Sequence, residues 1–190
     1  MSRLSLRTID DAPDTARAGL ATAQKNNGFL PNLVRLLANA PTALEAYQTL
    51  TAINARSELS PAEREAVQIT AAATHGCGFC VAGHTAIAYK KIGLNENIVN
   101  ALRNGDRVPD HRLDAVAEFT RAVIRGRGNV LDDELKIFLA AGFSEANALE
   151  VVLGVSLATL CNFSNNLGRP ALNPELAAYA WNPAAVEAAE

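Results

Sequence analysis

Ser60-Pro61-Ala62-Glu63-Arg64-Glu65-Ala66-Val67-Gln68-Ile69-Thr70-Ala71-Ala72-Ala73-Thr74, then His75-Gly76, then Cys77-Gly78-Phe79-Cys80-Val81-Ala82-Gly83-His84, is the stretch that decides the fold. Ser60 followed three residues later by Glu63 is a capping box, and Pro61 suits the first turn of a helix. That helix is expected to run to about Thr74. Gly76 breaks it, and a new helix should begin near Cys77 and end at Gly93.

Helix signals continue outward on both sides, and no segment alternates as a strand would. Upstream, Asp10 to Lys25 reads as a helix ended by Gly28. Pro31 restarts the chain into a short helix to Ala38, and Thr42-Ala43-Leu44-Glu45 resembles a capping box opening a helix to about Ala55. Downstream, Asn95 should cap a helix to Asn104, Asp110 one to Arg125, Asp132 one to Ala140, and Ser144 a long apolar one to about Asn165. Asn173-Pro174 begins a last short helix, with Trp181 just beyond it as a packing or interface anchor. The connections are short, as in a helical bundle. The expected fold class is all-α, a single domain over residues 1–190: N-terminal helices 1–58, a helical core with the cysteine pair 59–104, and C-terminal helices 105–190.

Composition agrees. The 190 residues are 49% hydrophobic but only 5% aromatic, which suits closely packed helices rich in alanine and leucine. The net charge is −3 and both signs are interspersed, so no basic stripe points to nucleic acid. The N-terminal residues carry charge without the apolar run of a secretory signal. The apolar run from Val151 to Cys161 is too short to span a bilayer. A cytoplasmic protein with neither a membrane nor a nucleic-acid partner is expected.

Three cysteines do not make a disulfide scaffold in a chain of this size. A close pair in a reducing compartment is more often catalytic or metal-binding. With about 100° per residue on a helix, Cys77 and Cys80 lie about 60° apart, Cys80 and His84 about 40°, and Cys77 and His84 about 20°. The three side chains share one face, and the thiols are near enough for a disulfide. At a helix start the unpaired N–H groups favour a thiolate. Glu65, on the preceding helix, falls on a mainly apolar face and needs a partner, which His84 would supply. Cys161 reads as a small buried hydrophobe and His111 as a solvated residue. A rival remains open: His75, Cys77, Cys80 and His84 offer four possible zinc ligands, giving a zinc-stabilised non-enzymatic helical module.

These residues resemble the alkylhydroperoxidase D-like (AhpD-like) group of the carboxymuconolactone decarboxylase superfamily. The likeness rests on Glu65, the CxxC of Cys77-Gly78-Phe79-Cys80, and Val81-Ala82-Gly83-His84, with the segments 59–65 and 84–88 around them. Gly28-Phe29-Leu30-Pro31-Asn32-Leu33 followed by Ala40-Pro41 is similar to the N-terminal part of peroxidase-related members. The resemblance implies an AhpD-like helical bundle and a homo-oligomer, commonly a trimer or hexamer. It implies an antioxidant oxidoreductase that reduces hydroperoxides or small disulfides at a redox-active disulfide. A dithiol or protein-thiol electron donor recharges it, with no cofactor and no metal. In that scheme Cys80 attacks, Cys77 resolves, and Glu65 and His84 relay the proton. Some members carry a histidine just before the second cysteine; here Phe79 stands there, and one relay group is missing. A decarboxylase-type enzyme of the same superfamily would need no thiol pair, so the CxxC argues against it.

Overall fold

Caps and apolar spacing divide the chain into helices. The computed structural model describes residues 2–182. In order they form α1 (Asp14–Asn27), α2 (Asn32–Leu37), α3 (Pro41–Asn54), α4 (Pro61–Thr74), α5 (Gly78–Ile87), α6 (Glu96–Asn104), α7 (His111–Gly126), α8 (Asp132–Ala140) and α9 (Glu145–Gly168). A π-turn (Ala88–Ile92) prolongs α5, and a 3₁₀ helix (Pro174–Tyr179) follows α9. No strand occurs among the described residues, and the fold is all-α in one domain. The expected domain also included residues 1 and 183–190, which lie outside the described residues.

The Ser60–Glu63 capping box forms in both directions: Ser60 Oγ accepts from the Glu63 N–H, and the Glu63 carboxylate accepts from the Ser60 N–H at 2.7 Å. Asp110 and Ser144 cap α7 and α9 as expected. Three starts differ. α1 begins at Asp14, not Asp10, because Pro13 disfavours a helical Ala12 and Thr8–Asp11 closes a turn instead, with Thr8 N–H donating to Asp11 at 2.6 Å. α3 begins at Pro41, where the fixed φ of proline suits a first turn, so the Thr42–Glu45 box does not form. Leu131, not Asp132, caps α8, its N–H held by the Glu134 carboxylate at 2.9 Å.

α4 is the central helix, packed against α5, α6, α7 and α9. Its small residues Ala66, Ala71 and Ala72 are fully buried, which lets neighbours approach closely. One close approach is at Gly154 of α9, where a Cβ would come within 2.8 Å of Val67, and where Gln68 Nε2–H donates to the Gly154 carbonyl at 2.9 Å. One apolar core joins α4 to α6, α7 and α8, with Phe138 stacked between Phe119 and Phe143. A second joins α1, α2 and α3 to α5 and α9 and contains all three cysteines. By length and composition α9 could cross a membrane. In this fold one of its faces packs into the core, with Val151, Leu157, Ala158, Asn162 and Asn165 buried.

The C-terminal segment is clipped across the start of α5. Asn32 N–H donates to Asn173 Oδ1 at 2.8 Å, and Asn32 Nδ2–H to the Ala171 carbonyl at 2.9 Å. The segment then brings Trp181 onto Gly78, where a Cβ would lie 2.7 Å from the Trp181 carbonyl oxygen. Only glycine fits there. Gly78→Ala is expected to cost about 1–3 kcal/mol in urea unfolding and to red-shift the emission of the sole tryptophan. Unchanged midpoint and emission would contradict this contact.

Candidate functional site

Gly76 has φ +63°, a conformation open to glycine, and turns the chain out of α4. The Cys77 N–H then donates back to the Ala72 carbonyl at 2.9 Å. Cys77 is therefore the N-cap of α5, half outside the helix, whereas Cys80 and His84 lie within it. The shared face expected from a continuous helix applies to Cys80 and His84, and the cap geometry places Cys77. Both thiols are buried and free.

α9 supplies the wall opposite. Asn165, itself buried, donates Nδ2–H to Cys80 Sγ at 3.2 Å. Asn166 donates to the His75 carbonyl at 2.8 Å and so holds the turn before the cysteines. These asparagines were missed in the sequence. Their only signal is three asparagines, Asn162, Asn165 and Asn166, following the apolar run from Val151 to Cys161.

The two thiols are electrostatically unequal. A hydrogen bond from the Cys80 thiol favours the Cys77 thiolate most strongly. Burial opposes it, and the Cys80 and Phe79 N–H groups and Asn165 add to the favourable side. The net effect lowers Cys77 from 9.0 to about 7. Cys80 keeps the shared proton, and burial raises it further, well above the ordinary thiol value. Burial pushes Cys161 up to about 12, so the third thiol stays protonated.

The pairing expected of Glu65 and His84 is present: His84 Nδ1–H meets Glu65 Oε2 at 2.8 Å, bridging α4 and α5. The side chains are 26% and 13% exposed, so water reaches the imidazole. Burial alone would lower the His84 pKa. The charge and hydrogen bond of Glu65, joined by the Cys77 thiolate, outweigh it and hold His84 above 6.5. This ion pair stabilises the fold while His84 is protonated, and the contribution is lost as pH rises through the elevated imidazole value. No hydrogen bond joins His84 to either thiol among the described residues.

His75 takes another direction. Its Nδ1 lies 3.0 Å from Asn162 Oδ1, and its ring meets Phe163 edge-on with centroids 5.0 Å apart. The four-ligand arrangement with His75 is not formed, and no three metal-ligating side chains gather among the described residues. Glu63 belongs to a separate pair with Arg112 at 2.9 Å. His111 is exposed and Cys161 buried, as expected.

A cavity of about 370 Å³ opens beside the dithiol, lined by Gly76, Cys77, Phe79, Asn165, Asn166, Arg169 and Pro170. Cys77 forms part of its wall, and Cys80 lies behind.

Two measurements check these electrostatics. The pH dependence of Cys77 alkylation should have its midpoint near 7 rather than the ordinary thiol value of about 8.5, and a midpoint at 8.5 or above would contradict the account. In Glu65→Gln the NMR-monitored pKa of His84 should fall, because burial then acts unopposed; an unchanged value would refute that assignment.

Residues 40–124 match the carboxymuconolactone decarboxylase family. No curated protein matches the chain significantly. Among solved structures, the alkylhydroperoxidase AhpD core of an uncharacterised peroxidase-related protein from Ralstonia eutropha JMP134 is 23% identical. It aligns over 92% of this chain and 94% of its own, with a TM-score of 0.80. A peroxidase-related protein from Silicibacter sp. TM1040 is 20% identical over 92% and 93%, with a TM-score of 0.80. The debrominase Bmp8 is 19% identical over 93% and 95%, with a TM-score of 0.76. At these identities the likeness is one of fold. The chain thus matches the carboxymuconolactone decarboxylase family over residues 40–124, and as a whole it has the AhpD-like fold.

Proposed function

We propose that this chain is a thiol-dependent peroxidase and disulfide reductase, with Cys77, Cys80, His84 and Glu65 as its working residues. One observation carries the reading: a buried pair of free thiols at the head of a helix, with Cys77 in the wall of a cavity. A decarboxylase has no use for that arrangement.

The chemistry is a two-electron reduction. A thiolate attacks the distal oxygen of ROOH, the O–O bond breaks, and the alkoxide leaves and takes a proton to become ROH. The attacking sulfur becomes a sulfenic acid. The second thiol displaces its hydroxyl as water and closes the Cys77–Cys80 disulfide. A small dithiol or protein thiol then returns two electrons and two protons by exchange. His84, with its raised pKa and its contact to solvent, is the acid that serves the leaving alkoxide through water. Glu65 holds the ring and its charge. Phe79 contributes only an apolar wall.

The resemblance gives the first attack to Cys80. In this chain Cys77 borders the cavity and Cys80 does not line it, so we assign the first attack to Cys77 and resolution to Cys80. Self-association is also proposed, since α9 leaves Leu149, Val152, Phe163 and Leu167 exposed along its length. Three free thiols suit a reducing compartment such as the cytoplasm.

Serine variants test the scheme. Cys77→Ser should consume no peroxide, and Cys80→Ser should consume one equivalent and stop at a trapped sulfenic acid. The opposite pattern would overturn the order of attack. If both variants turn over peroxide as the native chain does with a dithiol donor, the function itself is wrong.

A further inference from the structure

The dithiol cavity has a second polar end that the redox chemistry does not use. Among its lining residues Arg169 is the only one with a permanent charge, and no acidic side chain shares the wall. Arg169 is exposed, and no ion pair neutralises it among the described residues. Its backbone is held at φ 48°, the left-handed cap of α9, with its N–H on the Asn165 carbonyl at 2.7 Å. Glycine is the usual occupant of such a cap, and a branched or long side chain there costs free energy. Here the conformation carries an arginine onto the rim of the cavity whose floor is Cys77.

Asn165, one turn before Arg169, lines the same cavity. Its Nδ2–H is spent on Cys80, and its Oδ1 is a buried acceptor without a partner among the described residues. An acceptor left over beside a thiolate fits a ligand that brings its own O–H donor. A hydroperoxide does so, and ROO–H donating to Asn165 Oδ1 would sit beside the two sulfurs. At about 370 Å³ the cavity holds a small organic molecule, well beyond hydrogen peroxide itself.

We propose that the cavity binds an organic hydroperoxide carrying a carboxylate: Arg169 pairs with the carboxylate, and Asn165 Oδ1 accepts from the hydroperoxy group. Phe79 and Pro170 are the apolar side chains that line the same cavity. The hydroperoxide end rests on the redox reading above; the carboxylate end stands on Arg169 and the cavity alone.

A non-reacting pair of probes separates the two. 4-Isopropylbenzoate should protect Cys77 of the purified full chain from alkylation at concentrations about tenfold lower than the neutral 4-isopropylbenzamide, the gain expected of one charge-assisted pair. Arg169→Gln should abolish that preference, and Arg169→Lys should restore part of it, with circular dichroism confirming the helical fold of each variant. Equal protection by acid and amide, or a preference that survives Arg169→Gln, would overturn the proposal. An acid preference in a chain that reduces no hydroperoxide would keep Arg169 as the carboxylate anchor and overturn the hydroperoxide end. Turnover of neutral and acidic hydroperoxides with equal kcat/KM would overturn the carboxylate end alone.

Discussion

Gly76 takes φ +63° between two helices that must fold back on each other, and most of the site follows from that turn. It lets Cys77 become a cap instead of a helical residue. It sends α5 back along α4 so that Glu65 and His84, nineteen residues apart in sequence, meet at 2.8 Å. It also presents both sulfurs to α9. The close approach at Gly154 keeps that helix against α4, so Asn165 of α9 arrives at Cys80 as a fixed donor.

The contrast among the three cysteines shows what the fold adds to burial. All three sit in the same apolar core. Cys161 meets burial alone, in effect, and its thiol is pushed up to about 12. Cys77 is just as hidden, yet falls to about 7, because a neighbouring thiol, first-turn N–H groups and Asn165 favour its anion. Burial without donors makes a packing residue; burial with donors makes a nucleophile. The same logic governs His84, where a carboxylate outweighs the effect of desolvation.

Much of this was legible in sequence where the signal was local. The Ser60–Glu63 box, the break at Gly76, the stop at Gly93 and the i, i+4 relation of Cys80 and His84 all depend on residues within a turn of each other. The Glu65–His84 pair was also within reach, since two successive helices leave few other places for a carboxylate on an apolar face. Local signals misled at Asp10 and Thr42, where a nearby proline at position 13 or 41 chose the helix start instead. Asn165 and Arg169 could not be assigned a role at all. They lie 85 and 92 residues beyond Cys80 and Cys77, and only the packing of α9 on α4 brings them to the dithiol. Trp181 read as an anchor, but its seat on Gly78 depends on the Asn32–Asn173 clip, which has no local signature.

The central claim is that Cys77 and Cys80 act as one two-electron unit. Its most direct measurement is thiol titration of the reduced chain before and after one equivalent of a hydroperoxide, with mass spectrometry of the peptide containing residues 77–80. The account predicts that titratable thiols fall from three to one, that the peptide loses two hydrogens to an internal disulfide, and that Cys161 stays reduced. Three thiols remaining after exposure to peroxide, or oxidation that leaves Cys77 and Cys80 unlinked, would contradict it.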